Sequence, residues 1–125
     1  MDRSILLVGL GGFIGSVLRY LVSVLLAGQG PSAFPFATLG VNVAGCLLIG
    51  ILFAVSDRWN IMSPEWRIFL TTGFCGGFTT FSAFSYESVK LLQEGELLYL
   101  SANVVLSVVV GLAATYLGII LVKSI

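Results

Sequence analysis

The sequence predicts an all-α integral membrane protein with a single domain, four transmembrane helices and a break in the third helix. Its 125 residues are 58 % hydrophobic and only 10 % charged, and the mean hydropathy is +1.07. Soluble domains carry about 25 % charged residues, so this composition is typical of a membrane protein. The net charge of zero gives no argument for a nucleic-acid partner, and the absence of histidine removes the commonest general base.

Four stretches are apolar enough to cross a bilayer, which takes about 20 mostly apolar residues. They are predicted at about 4–27, 36–55, 66–92 and 97–122. The joints between them are short, so each helix is expected to run antiparallel to the one before it. Ser63 is predicted as the N-cap of the third helix, with Pro64 in its first turn. The first stretch is too long for the apolar core of a signal peptide, about 7–15 residues.

The basic residues give weak guidance on orientation. One side of the predicted bundle carries Arg3, Arg58, Arg67 and Lys123, and the other carries Lys90 and Arg19. A bias this small favours a cytoplasmic N-terminus only slightly, and a chain of this kind can insert in both orientations. Four thin helices do not easily enclose a polar path, so self-association is expected. Glycines such as Gly11 and Gly15 suit close helix packing, either between chains or within one chain.

Polar residues line up on helix faces inside the apolar stretches, where polar groups are costly. Thr38 and Asn42 are four residues apart and share a face. The fourth helix repeats this spacing at Asn103, Ser107, Gly111 and Thr115, and the third helix adds Thr71, Thr72, Thr79, Thr80, Ser82 and Ser85. A single hydroxyl often bonds to its own helix, whereas an amide such as that of Asn42 cannot satisfy all its hydrogen bonds there. Together the stripes predict a polar pathway.

Acidic groups and thiols add little to this pathway. Glu87 lies about one turn from the end of the third helix, where Lys90 at i+3 is in reach. Cys46 and Cys75 lie in apolar runs and predict small buried hydrophobic side chains, with neither a disulfide framework nor a metal site.

Four-helix multidrug antiporters depend on an acid in the first helix, where this chain offers only Arg19. A small dual-topology multidrug or cation transporter is therefore the weaker alternative, together with a purely structural membrane subunit.

Residues 73–84 read GFCGGFTTFSAF, a polar and aromatic segment in the third apolar stretch. Each glycine weakens a helix by about 1 kcal/mol relative to alanine, and two threonines follow, so the helix is predicted to break here. A break at membrane depth must be buried in protein or line a cavity. Its carbonyls can coordinate a hard cation such as Na⁺. Phe81 and Phe84 stack on one face, where ring edges can bracket a small anion or simply pack in the core.

The segment GFCGGFTTFSAF closely resembles the signature of the Fluc (CrcB) family of bacterial fluoride channels. TLGVN at 38–42, the glycines and Arg19 of the first helix and the four-helix layout also fit, so the resemblance covers the whole chain. It implies an antiparallel homodimer with dual topology in the bacterial inner membrane. The expected function is that of a passive fluoride-selective channel, not an enzyme, which lets F⁻ leave the cytoplasm and so relieves fluoride toxicity.

The resemblance also implies roles for individual residues. A structural Na⁺, which is not transported, is implied at the dimer interface, with backbone carbonyls of Gly76 and Thr79 as its ligands. The implied anion pathway comprises Asn42, Phe81, Phe84, Thr38, Thr80, Ser82, Ser107 and Thr115. Arg19 resembles the first-helix arginine of the family, and Glu87 resembles an acid of the pore vestibule. The chain departs from the family at Ala83, commonly a threonine, and at Gly111, where some relatives carry a hydroxyl.

Overall fold

The structure is a computed structural model that describes residues 2–26 and 34–125. In this part of the chain every regular element is a helix, and no strand forms. The long helices are α1 (Asp2–Leu25), α2 (Phe36–Trp59) and α6 (Leu97–Lys123). Between α2 and α6 lie α3 (Pro64–Ile68), a π-helical segment (Phe69–Cys75), α4 (Gly76–Phe78) and α5 (Phe81–Gln93). The predicted all-α fold is confirmed.

Among the described residues, three helices are long and apolar enough to cross a membrane: α1, α2 and α6. They correspond to the first, second and fourth predicted helices. The predicted end of the first helix at Ala27 lies outside the described residues. Helix α2 runs past its predicted end at Val55 to Trp59, because a polar sequence ends an apolar span without ending the helix. The α2 helix stops at Asn60, which adopts a left-handed conformation and donates its backbone N–H to the carbonyl of Ser56.

The third predicted helix is interrupted, but the interruption is not at the glycines. It begins as predicted, since the Ser63 hydroxyl caps the helix by accepting the Trp66 N–H at 3.2 Å. From Pro64 to Phe78 the backbone is continuously helical through α3, the π-helical segment and α4. Thr79 and Thr80 are extended, and α5 starts at the next residue. The predicted break within residues 73–84 is therefore confirmed at its threonines, whereas the part assigned to the three glycines is wrong, since they lie within helical segments.

The glycines instead let the third helical region approach α1 at backbone contact distance. A Cβ atom on Gly11 would lie 2.8 Å from the backbone nitrogen of Phe74 and 3.0 Å from the Cα of Gly73. A Cβ on Gly77 would lie 2.9 Å from the Cα of Gly12. Close backbone contact between small residues is a main source of helix association in membranes. At these positions the glycines serve packing within one chain.

Replacement of Gly11 by alanine is expected to destabilise the protein by about 1–3 kcal/mol, because backbone atoms cannot move aside as a side chain can. Gly9 provides a matched control on the same helix, since nothing lies within 4 Å of its Cβ position. Gly9→Ala should be neutral or stabilising by up to about 1 kcal/mol through helix propensity. Thermal unfolding in detergent, followed by circular dichroism, measures both variants. Equal stability of the two would contradict the packing role of Gly11.

The interior is small and the surface is apolar, as a lipid-facing protein requires. Few apolar side chains are fully buried in the described part of the chain, namely Val41, Ala54, Cys75, Leu91 and Val122. Many large apolar side chains on α1 and α6 are exposed. Helix α2 packs along α6, where a Cβ on Gly118 would lie 2.9 Å from the backbone nitrogen of Ile51. The interrupted third helix, residues 64–93, packs against α1 and α2 through the π-helical segment and α4, and against α6 through α5.

Candidate functional site

The helix break is capped on both sides by its own threonines. The Thr79 backbone N–H and hydroxyl both donate to the carbonyl of Cys75, at 3.0 and 2.8 Å. The Thr80 hydroxyl accepts the N–H of Ala83 at 3.1 Å and so caps the start of α5. It also lies 3.3 Å from the hydroxyl of Ser82. The carboxyl end of α4 and the amino end of α5 therefore meet at one well-defined gap.

Asn42 of α2 binds the backbone of this gap with both ends of its amide. Its Nδ2 donates to the Thr80 carbonyl at 3.1 Å, and its Oδ1 accepts the Thr80 N–H at 2.8 Å. The extended conformation leaves the Thr80 N–H without a helical partner, whereas the Thr80 carbonyl, at the N-cap of α5, accepts the Asn42 bond in addition to the first bond of that helix. The amide keeps a second N–H beyond this pair, because Asn carries two donors. Asn42 thus fixes the gap and can still offer a hydrogen bond beside it.

Arg19 of α1 binds the other side of the gap. Its Nε donates to the carbonyl of Gly77 at 3.1 Å. This carbonyl lies in the last turn of α4, where a positive charge is favourable because of the helix dipole. The arginine side chain is half-buried, so its bond is partly shielded from solvent. Arg19 therefore stabilises the carboxyl end of the first half of the interrupted helix.

Replacement of Arg19 by methionine is expected to lower the free energy of unfolding by about 1.5–3 kcal/mol, the usual contribution of a hydrogen bond to a charged group. Methionine keeps an apolar stem of similar length but offers no donor to Gly77. Arg3→Met, at an exposed position of the same helix, serves as the control and should stay within about 0.5 kcal/mol of the parent. Detergent unfolding curves of the two variants that coincide would argue against the Arg19 bond.

The main cavity, so named for its position at the helix gap and not for its size, has a volume of about 390 Å³ and lies between α2, the interrupted third helix and α6. It brings together seven of the residues predicted for the anion pathway and the cation site: Asn42, Gly76, Thr79, Thr80, Phe81, Phe84 and Ser107. The rest of its lining is mostly apolar or thiol-bearing: Gly45, Cys46, Ile49, Thr71, Cys75 and Val108. Polar donors and aromatic rings thus face one largely apolar space.

The two phenylalanines form a tilted pair at this cavity. The ring centroids of Phe81 and Phe84 are 5.5 Å apart, with an angle of 43° between the planes. Phe81 is 78 % exposed in the single chain, whereas Phe84 is half-buried. A large aromatic ring with so little cover is not serving the core of its own chain. The alternative of simple core packing therefore does not describe Phe81.

Five predicted site residues do not line this cavity: Thr38, Ser82, Thr115, Arg19 and Glu87. Thr38 is buried one turn from Asn42 on α2. The Thr115 hydroxyl lies 3.3 Å from the carbonyl of Gly111 and donates to it, which is the bonding to its own helix that the sequence left open. Ser82 is exposed and reaches the cavity only through its contact with Thr80.

Glu87 faces a second cavity of about 550 Å³ near the end of α5. The other lining residues are Phe34, Pro35, Lys90, Leu91, Glu94 and Glu96. Within the described residues, Oε1 of Glu87 is buried and has no hydrogen-bond partner. Lys90 does not satisfy this oxygen, although the i+3 spacing favoured a pair. Glu87 therefore presents an unbonded carboxyl oxygen in a mainly polar cavity.

Asn103 is a buried polar residue that sequence reasoning placed in a stripe but did not select as a site. It is 1 % exposed, and its Nδ2 donates to the hydroxyl of Ser88 at 3.1 Å. The Ser107 hydroxyl lies 3.5 Å from its Oδ1. Ser88 follows Phe84 by one turn on the same face of α5, and this spacing is the signal in the sequence that connects it to the site. Asn103 thereby links the polar side of α5 to Ser107 at the main cavity.

Comparison with known proteins places the chain in a family. The family model described as CrcB-like protein, Camphor Resistance (CrcB), matches residues 6–119. A protein of Chlorobium luteolum named Fluoride-specific ion channel FluC is 52 % identical over 96 % of this chain and 92 % of its own length. Proteins with the same name from Flavobacterium psychrophilum and Leptospira interrogans are 46 % and 40 % identical over 98 % of this chain, covering 98 % and 97 % of their own lengths. The resemblance read from the sequence is confirmed, and the chain belongs to the CrcB family.

Proposed function

We propose that this protein is a passive fluoride-selective channel, through which F⁻ leaves the cytoplasm. Relatives at 40–52 % identity bear the name of a fluoride-specific ion channel. The observation that carries the proposal is the main cavity, where Asn42, Phe81, Phe84 and Ser107 meet beside the helix gap. A channel performs transport and needs neither a nucleophile nor a general base.

The chemistry of the cavity suits a small, strongly hydrated anion. Fluoride must exchange its water for hydrogen-bond donors at close range, and the second N–H of Asn42 is such a donor. The Ser107 hydroxyl is another, because the bond that it donates to Oδ1 of Asn103 is long at 3.5 Å and the hydroxyl can rotate away from it. The first N–H groups of α5 point toward the gap, since helix N-termini leave donors unpaired and favour anions. The ring edges of Phe81 and Phe84 carry partial positive charge. Several moderate sites in series allow an ion both to enter and to leave.

A fourth membrane crossing is part of the proposal. The helical stretches on the two sides of the gap, residues 64–78 and 81–93, are each roughly 20 Å long at about 1.5 Å per residue. Joined end to end they exceed the hydrocarbon thickness of about 30 Å. The extended residues between them are tolerated at that depth because Asn42 and Arg19 bind their surroundings and the gap borders a cavity.

A second copy of the chain completes the site. Phe81 is largely uncovered, and nothing lies within 4 Å of the Cβ position of Gly76, so the cavity side of one chain is open. An antiparallel homodimer covers this face and gives two pathways, one along each chain. The weak bias of basic residues suits insertion in both orientations. The inner membrane of a bacterium is the proposed location.

Two free carbonyls support the proposal of a structural Na⁺ at this interface. The helical partner of the Gly76 carbonyl would be the Thr80 N–H, which binds Asn42 instead. The helical partner of the Thr79 carbonyl would be the Ala83 N–H, which binds the Thr80 hydroxyl. Oxygen ligands of this kind suit a hard cation, and a second chain would double their number. The ion would coordinate the carbonyl oxygens and would not be transported.

Fluoride efflux from liposomes tests the function directly. Vesicles that contain the purified protein are loaded with fluoride, and release is followed with a fluoride electrode after the charge is balanced with an ionophore. Release well above that of empty vesicles is expected, with chloride retained. A drug–proton exchange signal with no fluoride release would favour the small multidrug transporter, and neither signal would favour a structural subunit.

Replacement of Na⁺ by N-methylglucamine tests the cation separately. A ligand that binds only the folded state raises its stability, so the melting temperature of the purified protein should rise with Na⁺ and not with equal concentrations of the organic cation. Equal melting temperatures in both salts would contradict the Na⁺ site and leave the fluoride proposal intact.

A further inference from the structure

Two free cysteines face the main cavity, and the proposed fluoride route uses neither of them. Cys46 belongs to α2 and Cys75 to the π-helical segment. Both line the same space of about 390 Å³. In the sequence they lie on different helices and predict only small apolar side chains, so their shared position is a property of the fold.

The two cysteine-bearing segments are in direct contact. The Thr79 methyl group fills the space that a Cβ on Gly45 would need. Because Thr79 lies one turn after Cys75 and Gly45 immediately precedes Cys46, this contact brings the two cysteine-bearing segments together. The Cys46 sulfur lies 3.6 Å from the Cβ position of Gly111 on α6, so any side chain at position 111 would contact this sulfur. Cys75 is only 2 % exposed to the surroundings of the chain and lines the cavity.

We propose that Cys46 and Cys75 form a two-thiol site for a soft metal cation of the class Hg²⁺, Ag⁺ and Cu⁺. Thiolates select soft metals, whereas hard cations take oxygen ligands. Within the described residues no group of three or more His, Cys, Asp or Glu side chains could hold a metal. The two thiols therefore cannot complete the coordination of a metal that needs four such ligands, but they are sufficient for a metal that is two-coordinate.

Binding is a proton exchange with no change in oxidation state. Each thiol releases its proton as a metal–sulfur bond forms, so one Hg²⁺ replaces two protons. Two thiols held in one cavity act together, because the second bond forms within the complex and has a high effective concentration. The site should therefore hold mercury against a free thiol that offers only one sulfur per molecule. Mercuric chloride is a neutral molecule that enters bilayers, so it can reach a cavity at membrane depth.

Mercury retention in the presence of glutathione tests the site. The purified full-length protein is incubated with HgCl₂, then with excess glutathione, separated by gel filtration and analysed for mercury and protein. The wild type should retain one mercury per chain. Cys46→Ala and Cys75→Ala should each retain at least tenfold less, and Cys46→Ser and Cys75→Ser should behave alike, which guards against a folding defect in one variant. The chain has only two cysteines, so the double variant sets the background.

The outcomes separate the paired site from other modes of binding. Retention by the wild type that is no greater than that of the single variants would overturn the proposal. Full retention by either single variant would assign the mercury to one thiol and would also overturn it. Retention of one mercury per two chains would place the site between subunits and would overturn the pairing within one chain.

A transport readout connects this site to the proposed function and rests on it. Mercury in the cavity should slow fluoride efflux of the wild type by at least tenfold relative to its own metal-free rate. The efflux of the double variant should not change on addition of mercury. Retained mercury with undiminished efflux would support the thiol site and contradict a fluoride route through this cavity, so the two proposals fail in distinguishable ways.

Discussion

Replacement of Phe81 by isoleucine is expected to slow fluoride efflux by about tenfold or more while the protein remains folded. Isoleucine keeps an apolar side chain but has no ring edge with partial positive charge. A loss of about 1.4 kcal/mol of stabilisation along the pathway corresponds to about tenfold in rate. Because Phe81 is 78 % exposed in the single chain, the substitution leaves no hole in the core. Efflux from liposomes per unit of reconstituted protein measures the effect.

Phe13 offers a matched control for this substitution. It is a phenylalanine on α1 that is 69 % exposed and does not line the main cavity. Phe13→Ile should keep the efflux rate of the parent within about twofold. Gel filtration shows whether each variant retains the oligomeric state of the parent. If Phe81→Ile transports fluoride as fast as Phe13→Ile, the ring at position 81 serves packing and the aromatic part of the proposed route is wrong.

The helices could be predicted from the sequence because their cause is local. Apolar runs set α1, α2 and α6, and the predicted starts at Phe36 and Leu97 are those of the structure. The start of the third helix could also be predicted from local sequence, because the Ser63 hydroxyl caps the helix by accepting the N–H of Trp66, three residues later. The predicted end of α2 at Val55 was wrong because apolar content marks the part of a helix that spans the membrane, and not the residue at which the helix ends.

The position of the helix break could be predicted only to within a segment of the third helix, because its cause is tertiary. Low helix propensity pointed to Gly73, Gly76 and Gly77, but α1 approaches this region closely and keeps it helical. The residues that leave the helix are Thr79 and Thr80, and the Thr80 backbone is bound by an amide 38 residues away in the sequence. Propensity gives way where packing and long-range hydrogen bonds oppose it.

The site was predictable in its residue types more than in its bonds. An amide in a membrane needs partners beyond its own helix, which pointed to Asn42 but not to the Thr80 backbone. The i+3 spacing of Glu87 and Lys90 suggested a pair, yet Glu87 keeps an unbonded oxygen. Spacing on one helix fixes which side chains are near each other, whereas the neighbouring helices decide which of them bond.

Replacement of Asn42 by alanine should affect both stability and transport, and this separates it from Phe81. Alanine leaves the Thr80 N–H and carbonyl without their side-chain partners. An unsatisfied buried polar group costs about 1–3 kcal/mol, and water is scarce at membrane depth to replace the lost bonds. We expect a loss of about 2–5 kcal/mol in the free energy of unfolding, measured by detergent denaturation, and fluoride efflux at the level of empty vesicles.

Val41 is the control for lost packing, since it is the neighbour of Asn42 on α2 and only 2 % exposed. Val41→Ala removes buried methyl groups and should cost about 1–3 kcal/mol, but its folded fraction should still transport fluoride. Asn42→Asp tests the pair further, because it keeps an acceptor for the Thr80 N–H, loses the donor to the Thr80 carbonyl and adds a charge that repels fluoride. A stable but inactive Asn42→Ala would make the amide a pathway donor alone. A variant with the parent's stability and efflux would remove Asn42 from the site, and the gap at Thr79 and Thr80 would then have to be held by Arg19 and the threonine caps.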